Sequence, residues 1–152
     1  MKLDLFRYTC ACCGSVFEEA DLVGGYGKML ARSTGQGSMA LVDALHDDIF
    51  AEVERLVSKV VDRSVLPDWK FGNVGRYVFS VACDPDDDGS PFRIGEQPAC
   101  PICGSHQMDS WERTGRLVEL EVPLVGHRNW NRMDMQRRTK LVNDAVNDFL
   151  SW

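Results

Sequence analysis

The chain has 152 residues and a net charge of −6, because 23 acidic side chains outnumber 17 basic ones. A composition of 44% hydrophobic and 26% charged residues is typical of folded globular proteins and excludes a disordered or collagenous chain. No apolar run approaches the roughly 18 residues of a membrane helix, and charged residues interrupt the start of the chain where a signal peptide would be apolar. We therefore expect one domain spanning 1–152, located in the cytoplasm.

The first predicted element is a strand over 2–8, followed by a cysteine-rich turn and a returning strand at 16–17. The turn reads Cys10-Ala11-Cys12-Cys13-Gly14-Ser15. Glycines at positions 24, 25, 27, 35 and 37 then predict a flexible connector. A phosphate-binding loop at Gly27-Lys28 is disfavoured, because Leu22 and Met29 stand where that motif needs Gly and Ser or Thr.

The segment 39–62 is predicted to be one long amphipathic helix. Its apolar residues recur at steps of three and four, and Ser38 is a suitable N-cap. The opposite face is acidic and carries Asp43, Asp47, Asp48, Glu52 and Glu54. Such a face is either solvated or a docking surface, and Asp47 is a candidate partner-binding residue.

A half-buried strand is predicted over 76–83, where aromatic and β-branched residues alternate. The loop Asp84–Gly89 then matches the start of a calcium-binding EF-hand loop. Gly95 stands where that loop needs its bidentate glutamate, so an acidic turn is preferred to a calcium site. The exposed acids of this turn, Asp86, Asp87 and Asp88, are further candidate partner-binding residues.

A second cysteine turn, Cys100-Pro101-Ile102-Cys103-Gly104-Ser105, repeats the pattern C-x-x-C-G-S of the first. A two-residue spacer lets both thiolates of one turn face a single tetrahedral ion, and two such turns complete four ligands. The candidate ligands are therefore Cys10, Cys13, Cys100 and Cys103, for one structural Zn²⁺. Cys12 remains an alternative to either cysteine of the first turn.

These paired cysteine turns, here called knuckles, resemble those of the zinc-ribbon family. The resemblance covers Cys10–Phe17 and Cys100–Trp111, and it implies β-hairpins around a structural zinc. The chain departs from a compact ribbon because 86 residues separate Cys13 from Cys100. We therefore predict an α+β fold in which zinc-ribbon-type antiparallel hairpins hold a helical insertion over about 18–99, followed by a C-terminal helix.

The other thiol and imidazole groups are expected to be structural. Cys83 ends an apolar run and is predicted to be a small buried hydrophobe. His106 follows the second knuckle and is expected to cap or solvate that turn, since four cysteines already supply a full ligand set. His46 is expected on the exposed side of the long helix.

After the second knuckle, the sequence predicts a hairpin with strands over 108–112 and 117–122, and then a helix over about 131–150. Five basic residues lie between 128 and 140: Arg128, Arg132, Arg137, Arg138 and Lys140. Positive charge near a helix N-terminus opposes the macrodipole, so pairing with the acidic helix face is favoured over nucleic-acid binding. His127-Arg128-Asn129-Trp130 is read as a helix cap with Trp130 in the core.

No nucleophile and base, no carboxylate pair and no open metal site is recognisable, so we expect a protein that is not an enzyme. The acidic charge favours a protein-interaction module, either an adaptor or a stoichiometric inhibitor similar to acidic immunity proteins, with a basic partner. Candidate aromatic anchors are Tyr26, Trp69 and Trp152. The alternative is a zinc-ribbon nucleic-acid-binding or regulatory factor that uses the basic cluster.

Overall fold

A computed structural model gives the fold and describes residues 1–23, 27–62 and 64–151. Within these ranges, two three-stranded antiparallel sheets and four α-helices form an α+β structure, as predicted from the sequence. The strands are β1 (Lys2–Cys10), β2 (Val16–Asp21), β3 (Lys28–Ser33), β4 (Met39–Asp43), β5 (Phe92–Ile94) and β6 (Met108–Glu119). The helices are α1 (Asp48–Val60), α2 (Asp68–Phe79), α3 (Arg128–Asn131) and α4 (Met135–Leu150), and a 3-10 turn covers Ser80–Ala82.

The first sheet, here called the ribbon sheet, has the strand order β2-β1-β6. Its central strand β1 pairs Tyr8 with Phe17 on one side and with Trp111 on the other. The rings of Tyr8 and Phe17 stack with centroids 5.6 Å apart. At the end of β1, Cys10 pairs with Met108, so both knuckles lie at the same end of this sheet.

The second sheet, here called the body sheet, has the strand order β4-β3-β5 and packs against the helices. The helices contribute apolar stripes at steps of three and four residues, such as Val53, Leu56 and Val57 on α1. The fully buried centre of this core is formed by Val42, Val53, Val57, Val74, Val78, Phe79, Trp130, Val142 and Val146. This core contains no residue of the ribbon sheet.

Polar contacts join the two sheets. The Arg32 side chain on β3 is buried, and its guanidinium donates to the carbonyls of Glu96 and Ala20 and lies 3.7 Å from the Asp21 carboxylate. A buried charge is tolerated only when it is paired. On the other side, the Leu41 amide donates to the Pro123 carbonyl at 2.7 Å, so the chain leaving β6 runs beside β4.

The prediction of a single helix over 39–62 is wrong for the N-terminal part of that segment. Residues 39–43 form β4, where Ala40 and Val42 alternate inward, and the helix begins only at Asp48. Asp47, rather than Ser38, is the N-cap, and its Oδ1 accepts from the Ile49 amide at 2.9 Å. Pairing with β3 overrides the helical periodicity because it supplies partners for the backbone of 39–43.

The prediction of a strand over 76–83 is also wrong, since α2 and the following 3-10 turn cover residues 76–82. The buried side chains of α2 include Phe71, Val74 and Val78, which recur at helical spacing. Tertiary packing on α1 and α4 decides the structure here, although β-branched and aromatic residues favour strands.

The hairpin predicted after the second knuckle is one continuous strand, β6. The register along β1 shifts between Asp4 and Phe6, and the chain of β6 bulges there instead of turning back. The Thr114 hydroxyl donates to the Leu5 carbonyl at 2.8 Å, and Gly115 has φ +82°. The bulge therefore uses the glycine that the sequence predicts as a turn.

The C-terminal helix is present but begins later than predicted, at Met135. Asp134 is its N-cap and accepts from the Arg137 amide at 2.8 Å. Trp130 is buried in the preceding short helix α3, as expected for that residue.

The connector predicted from the glycines contains β3 and the turn between β3 and β4, while residues 24–26 lie outside the described part. No helix in the described ranges is long and apolar enough to cross a membrane.

Candidate metal centre

The two knuckles have the same backbone geometry. In the first, the Cys10 amide donates to the Ser15 carbonyl at 2.9 Å and the Gly14 amide donates to the Cys10 carbonyl at 3.0 Å. In the second, the corresponding bonds of Cys100 to Ser105 and Gly104 are both 2.8 Å. Gly14 and Gly104 have φ of +74° and +77°, which favours glycine at this position of the repeat.

The ribbon sheet brings the knuckles together. Cys10 is the last residue of β1, and the second knuckle leads directly into β6, the neighbour of β1. A further bond from the Ala11 amide to the Gln107 carbonyl, at 2.9 Å, joins one knuckle to the other. The antiparallel pairing of β1 and β6 thus closes the distance across the long insertion.

The four predicted cysteines form one cluster. The Sγ atoms of Cys10, Cys13, Cys100 and Cys103 all lie within 4.8 Å of one another. Cys10 and Cys103 are 3.5 Å apart at sulfur, and Cys13 and Cys100 are 3.6 Å apart. A tetrahedral ion bound to thiolates at about 2.3 Å needs sulfur separations of about 3.8 Å, so this group can bind a metal ion.

Backbone amides and hydroxyls favour the thiolate form on the first knuckle. The hydroxyl and then the amide of Ser15 lower the pKa of Cys13 to about 6. The amide of Cys13 is the main cause that lowers the pKa of Cys10. Thiolates are the form that binds metal.

The pKa of Cys103 is shifted in the opposite direction, upwards. The Ser105 amide favours its thiolate, but desolvation and the hydrogen bonds with Cys10, Cys13 and Cys100 outweigh this effect and raise its pKa to about 12. Four thiolates this close repel one another in the absence of a cation. A divalent ion would remove that repulsion and let all four ionise.

Cys12 and Cys83 lie outside the cluster. The group of sulfurs within 4.8 Å of one another includes Cys10 and Cys13 but not Cys12, so the geometry favours Cys10 and Cys13 over the alternatives that include Cys12. Cys83 is half-buried, its Sγ lies 3.5 Å from the Phe79 carbonyl, and burial raises its pKa to about 12. It is a packed thiol, as the sequence predicts.

His106 bonds to two backbone carbonyls instead of joining the cluster. Its Nδ1 is 2.7 Å from the Gln97 carbonyl and its Nε2 is 3.2 Å from the Gly35 carbonyl. The imidazole thus ties the segment after the second knuckle to two other segments of the chain. His46 is exposed in the turn before α1 and lies 3.1 Å from Asp43.

The predicted partner-binding acids have different surroundings. Asp47 caps α1 with one oxygen, and its other oxygen lies 2.7 Å from Nε2 of His127, so its carboxylate is engaged twice within the chain. Asp86 accepts from the amides of Ser90 and Asp88. Asp87 and Asp88 are exposed. The assignment of these four acids to a partner stays a prediction.

Two of the five basic residues between 128 and 140 pair within the chain. Arg138 donates to Glu52 of α1 at 2.8 Å and stacks over the Trp130 ring, and Lys140 contacts Asp144. The pairing of Arg138 with the acidic face of α1 is the contact expected from the sequence.

Sequence reasoning missed the apolar residues that the ribbon exposes. Ile102, at the tip of the second knuckle, is 74% exposed, and Trp111 on β6 is 54% exposed. Val16 and Leu117 of the same sheet are exposed as well. The sequence feature that could have revealed the exposure of Ile102 is its position between Cys100 and Cys103. Because those two thiols face the cluster, the Ile102 side chain has to point away from it.

Among the predicted aromatic anchors, Trp69 on α2 is 68% exposed. Tyr26 and Trp152 lie outside the described residues. Comparison with protein-family models, curated proteins and solved structures finds no match for this chain.

Proposed function

We propose that this protein is a non-catalytic module that is stabilised by one zinc ion and acts by stoichiometric binding to another protein, as an adaptor or as an inhibitor similar to immunity proteins. Tetrahedral sites of four thiolates suit zinc or iron. Zinc is the proposed ion because closed four-cysteine knuckle sites of this type serve as structural zinc sites. Elemental analysis distinguishes the two metals, and iron would also give visible colour.

The ligand set supports a structural role for the metal. Four cysteine sulfurs converge on one centre, so a tetrahedral ion there has no open position for water or substrate. Catalytic zinc sites instead keep one position free. The metal centre is therefore proposed to stabilise the ribbon sheet rather than to perform chemistry.

The observation that carries the binding hypothesis is the exposed apolar surface beside this centre. Ile102 and Trp111 are large side chains that project from the metal-linked ribbon. Tryptophan is enriched among the residues that dominate binding energy in protein interfaces. A metal-braced platform also loses little conformational entropy on binding.

Nucleic-acid binding is the competing function. Of the five basic residues between 128 and 140, Arg138 and Lys140 pair within the chain. The support for nucleic-acid binding is the remaining three exposed arginines near α3 and the start of α4, which are Arg128, Arg132 and Arg137. The overall charge of −6 opposes this function, because phosphate binding needs a positive field.

The test is capture from an extract of the native host on immobilised zinc-loaded protein. Trp111→Ser and Ile102→Ser should each reduce the captured partner at least about tenfold, as for a central interface residue, whereas Val65→Ser, an exposed apolar residue of the loop before α2, should not. Loss of the captured partner with Trp69→Ser alone would indicate that the interface lies on α2 instead. Slower association after Asp87→Lys and Asp88→Lys would place the acidic turn at the interface.

The same capture separates the two functions. A protein partner stays bound after nuclease treatment at moderate salt. Retention that depends on nucleic acid and falls steeply with salt would support the competing function. Turnover of any substrate by the purified protein would contradict the non-catalytic proposal.

A further inference from the structure

A cleft of about 710 Å³ is lined by residues of β2, β3, α2, β5 and α4. One wall is the first half of β3, Lys28–Leu30, and another is the face of α2 that carries Asn73, Arg76 and Tyr77. Phe149 of α4 closes one end. The volume is within the range of about 300–1,000 Å³ that is usual for small-molecule sites.

The cleft exists because β5 is short. This strand pairs only with residues 31–33 of β3 and then turns away at Gly95, which has φ +79°. The Gly95 amide still donates to the Leu30 carbonyl at 3.4 Å, but in the described ranges no strand pairs with Lys28 and Met29 on that side of β3. The cleft lies there, between β3 and α2.

Three basic side chains line this cleft: Lys28, Arg76 and Arg93. Within the ranges that the structure describes, none of the three has a carboxylate within 4.0 Å, so their charges are available to a ligand. The Nε atom of Arg93 is buried and has no hydrogen-bond partner in the described ranges. A buried donor without an acceptor costs free energy unless a ligand or water supplies one.

The carboxylates that line the same cleft are already engaged. Asp21 accepts from the Tyr8 hydroxyl at 3.1 Å and lies near Arg32. Glu96 lies 3.8 Å from His106. Neither carboxylate lies within 4.0 Å of Lys28, Arg76 or Arg93, and the three cations outnumber the two acids in the lining of the cleft.

Aromatic rings lie beside the cationic groups of the cleft. The Arg93 guanidinium stacks over the Tyr77 ring at 5.3 Å, and the Tyr77 and Phe149 rings lie 5.3 Å apart. Stacking holds a guanidinium in plane and leaves its edge available for a two-pronged contact with carboxylate or phosphate. The site thus offers positive charge beside an apolar surface.

We propose that this cleft binds an organic anion, with its carboxylate or phosphate group held by Lys28, Arg76 and Arg93 and its apolar or aromatic body against Tyr77 and Phe149. The lining of this cleft includes neither the clustered cysteines nor Ile102 and Trp111 of the proposed protein interface. Ionic and apolar contacts together give selectivity for an amphipathic anion over an inorganic one.

The test is a titration of the ¹⁵N-labelled zinc-loaded protein, followed by amide chemical shifts, with phenyl phosphate, benzoate and inorganic phosphate in parallel. The two aromatic anions should produce saturable shifts confined to the cleft walls, and inorganic phosphate should bind at least about tenfold more weakly. Tighter binding of phenyl phosphate identifies a phosphate ligand, and tighter binding of benzoate identifies a carboxylate ligand.

Arg76→Gln and Arg93→Gln should each weaken the binding of the better probe at least about tenfold, as expected for the loss of a charge-assisted hydrogen bond. Arg55→Gln, which removes an exposed arginine from the middle of α1, is the matched control and should leave binding unchanged. Arg93→Lys keeps the charge without the planar fork and should give an intermediate loss, while the amide spectrum shows that each variant is folded. Shifts scattered over the surface, no saturation, or equal effects of Arg55→Gln and Arg76→Gln would overturn the proposal.

Discussion

Removal of the proposed zinc ion should loosen the whole protein, because the four clustered cysteines lie in segments that are far apart in sequence. The ligands lie on both sides of an 86-residue separation, and closing a flexible loop of that length costs about 4 kcal/mol. Structural zinc binds to cysteine sites with roughly 10–16 kcal/mol. Bound zinc would therefore offset the closure cost several times over, and without it closure depends on the pairing of β1 with β6 and on the polar contacts that join the two sheets.

The size of the effect follows from linkage. A ligand that binds only the folded state at a free concentration about a thousandfold above its Kd stabilises that state by about 4 kcal/mol. For a domain of this length, each kcal/mol shifts the Tm by about 2–4 °C. Chelation should therefore lower the Tm by about 8–16 °C.

The assay is thermal unfolding with and without chelator, with the bound zinc measured on the same samples. Cys103→Ser should reproduce the loss without chelator, because it leaves three of the four thiolates. Cys12→Ser is the matched control, since Cys12 is exposed in the same knuckle and lies outside the cluster. An unchanged Tm on metal removal, or equal zinc content in Cys103→Ser and Cys12→Ser, would refute the reasoning.

Three further substitutions test the contacts around α3. His127→Phe should cost about 1–3 kcal/mol of unfolding free energy, because it removes two partly buried hydrogen bonds, to the Ala82 carbonyl and to the Asp47 carboxylate. His46→Phe, at an exposed ring, should cost less than about 0.5 kcal/mol, and equal losses in denaturant titrations would contradict the assignment. Asp84→Ala should cost about 1 kcal/mol at pH 7, because its carboxylate accepts the first amides of α3. Burial raises the pKa of Asp84, but these amides outweigh it and lower the pKa below 3.8, so the cost should shrink as the pH falls below that value; a pH-independent cost would argue against it. Trp130→Ala should cost about 3–5 kcal/mol in the same titrations, whereas Trp69→Ala at an exposed position should be nearly neutral.

The cysteine cluster could be predicted because the spacing of its residues is a local property. The repeat C-x-x-C-G-S specifies a thiolate pair, a glycine with positive φ and a serine in each copy, and the structure places all of these as the repeat requires. Cys12 could be set aside only by the match between the copies, and the sulfur positions agree with that choice.

The boundaries of the insertion could not be predicted in the same way, because long-range contacts set them. The residues of β4 carry a helical pattern in sequence, but their backbone pairs with β3 and with Pro123. The buried stripe of α2, which includes Val74 and Val78, was visible at helical spacing, yet the aromatic and β-branched residues at its end favoured a strand. Gly115 looks like a turn because the partner that makes it a bulge lies on β1, more than 100 positions earlier.

The pairing of β1 with β6 has a consequence for synthesis. Strand β1 and its knuckle are synthesised before β6, and the edge of β1 that β6 will cover stays open until residue 119 has emerged. During that interval Cys10 and Cys13 can offer a metal only half of its ligands. We therefore expect the local hairpin of β1 and β2 to form first and the pairing of β1 with β6 to form later, since local contacts form faster than distant ones. The nascent chain is then an incomplete metal site with an unprotected strand edge, and a chaperone or an early zinc supply would act on this species.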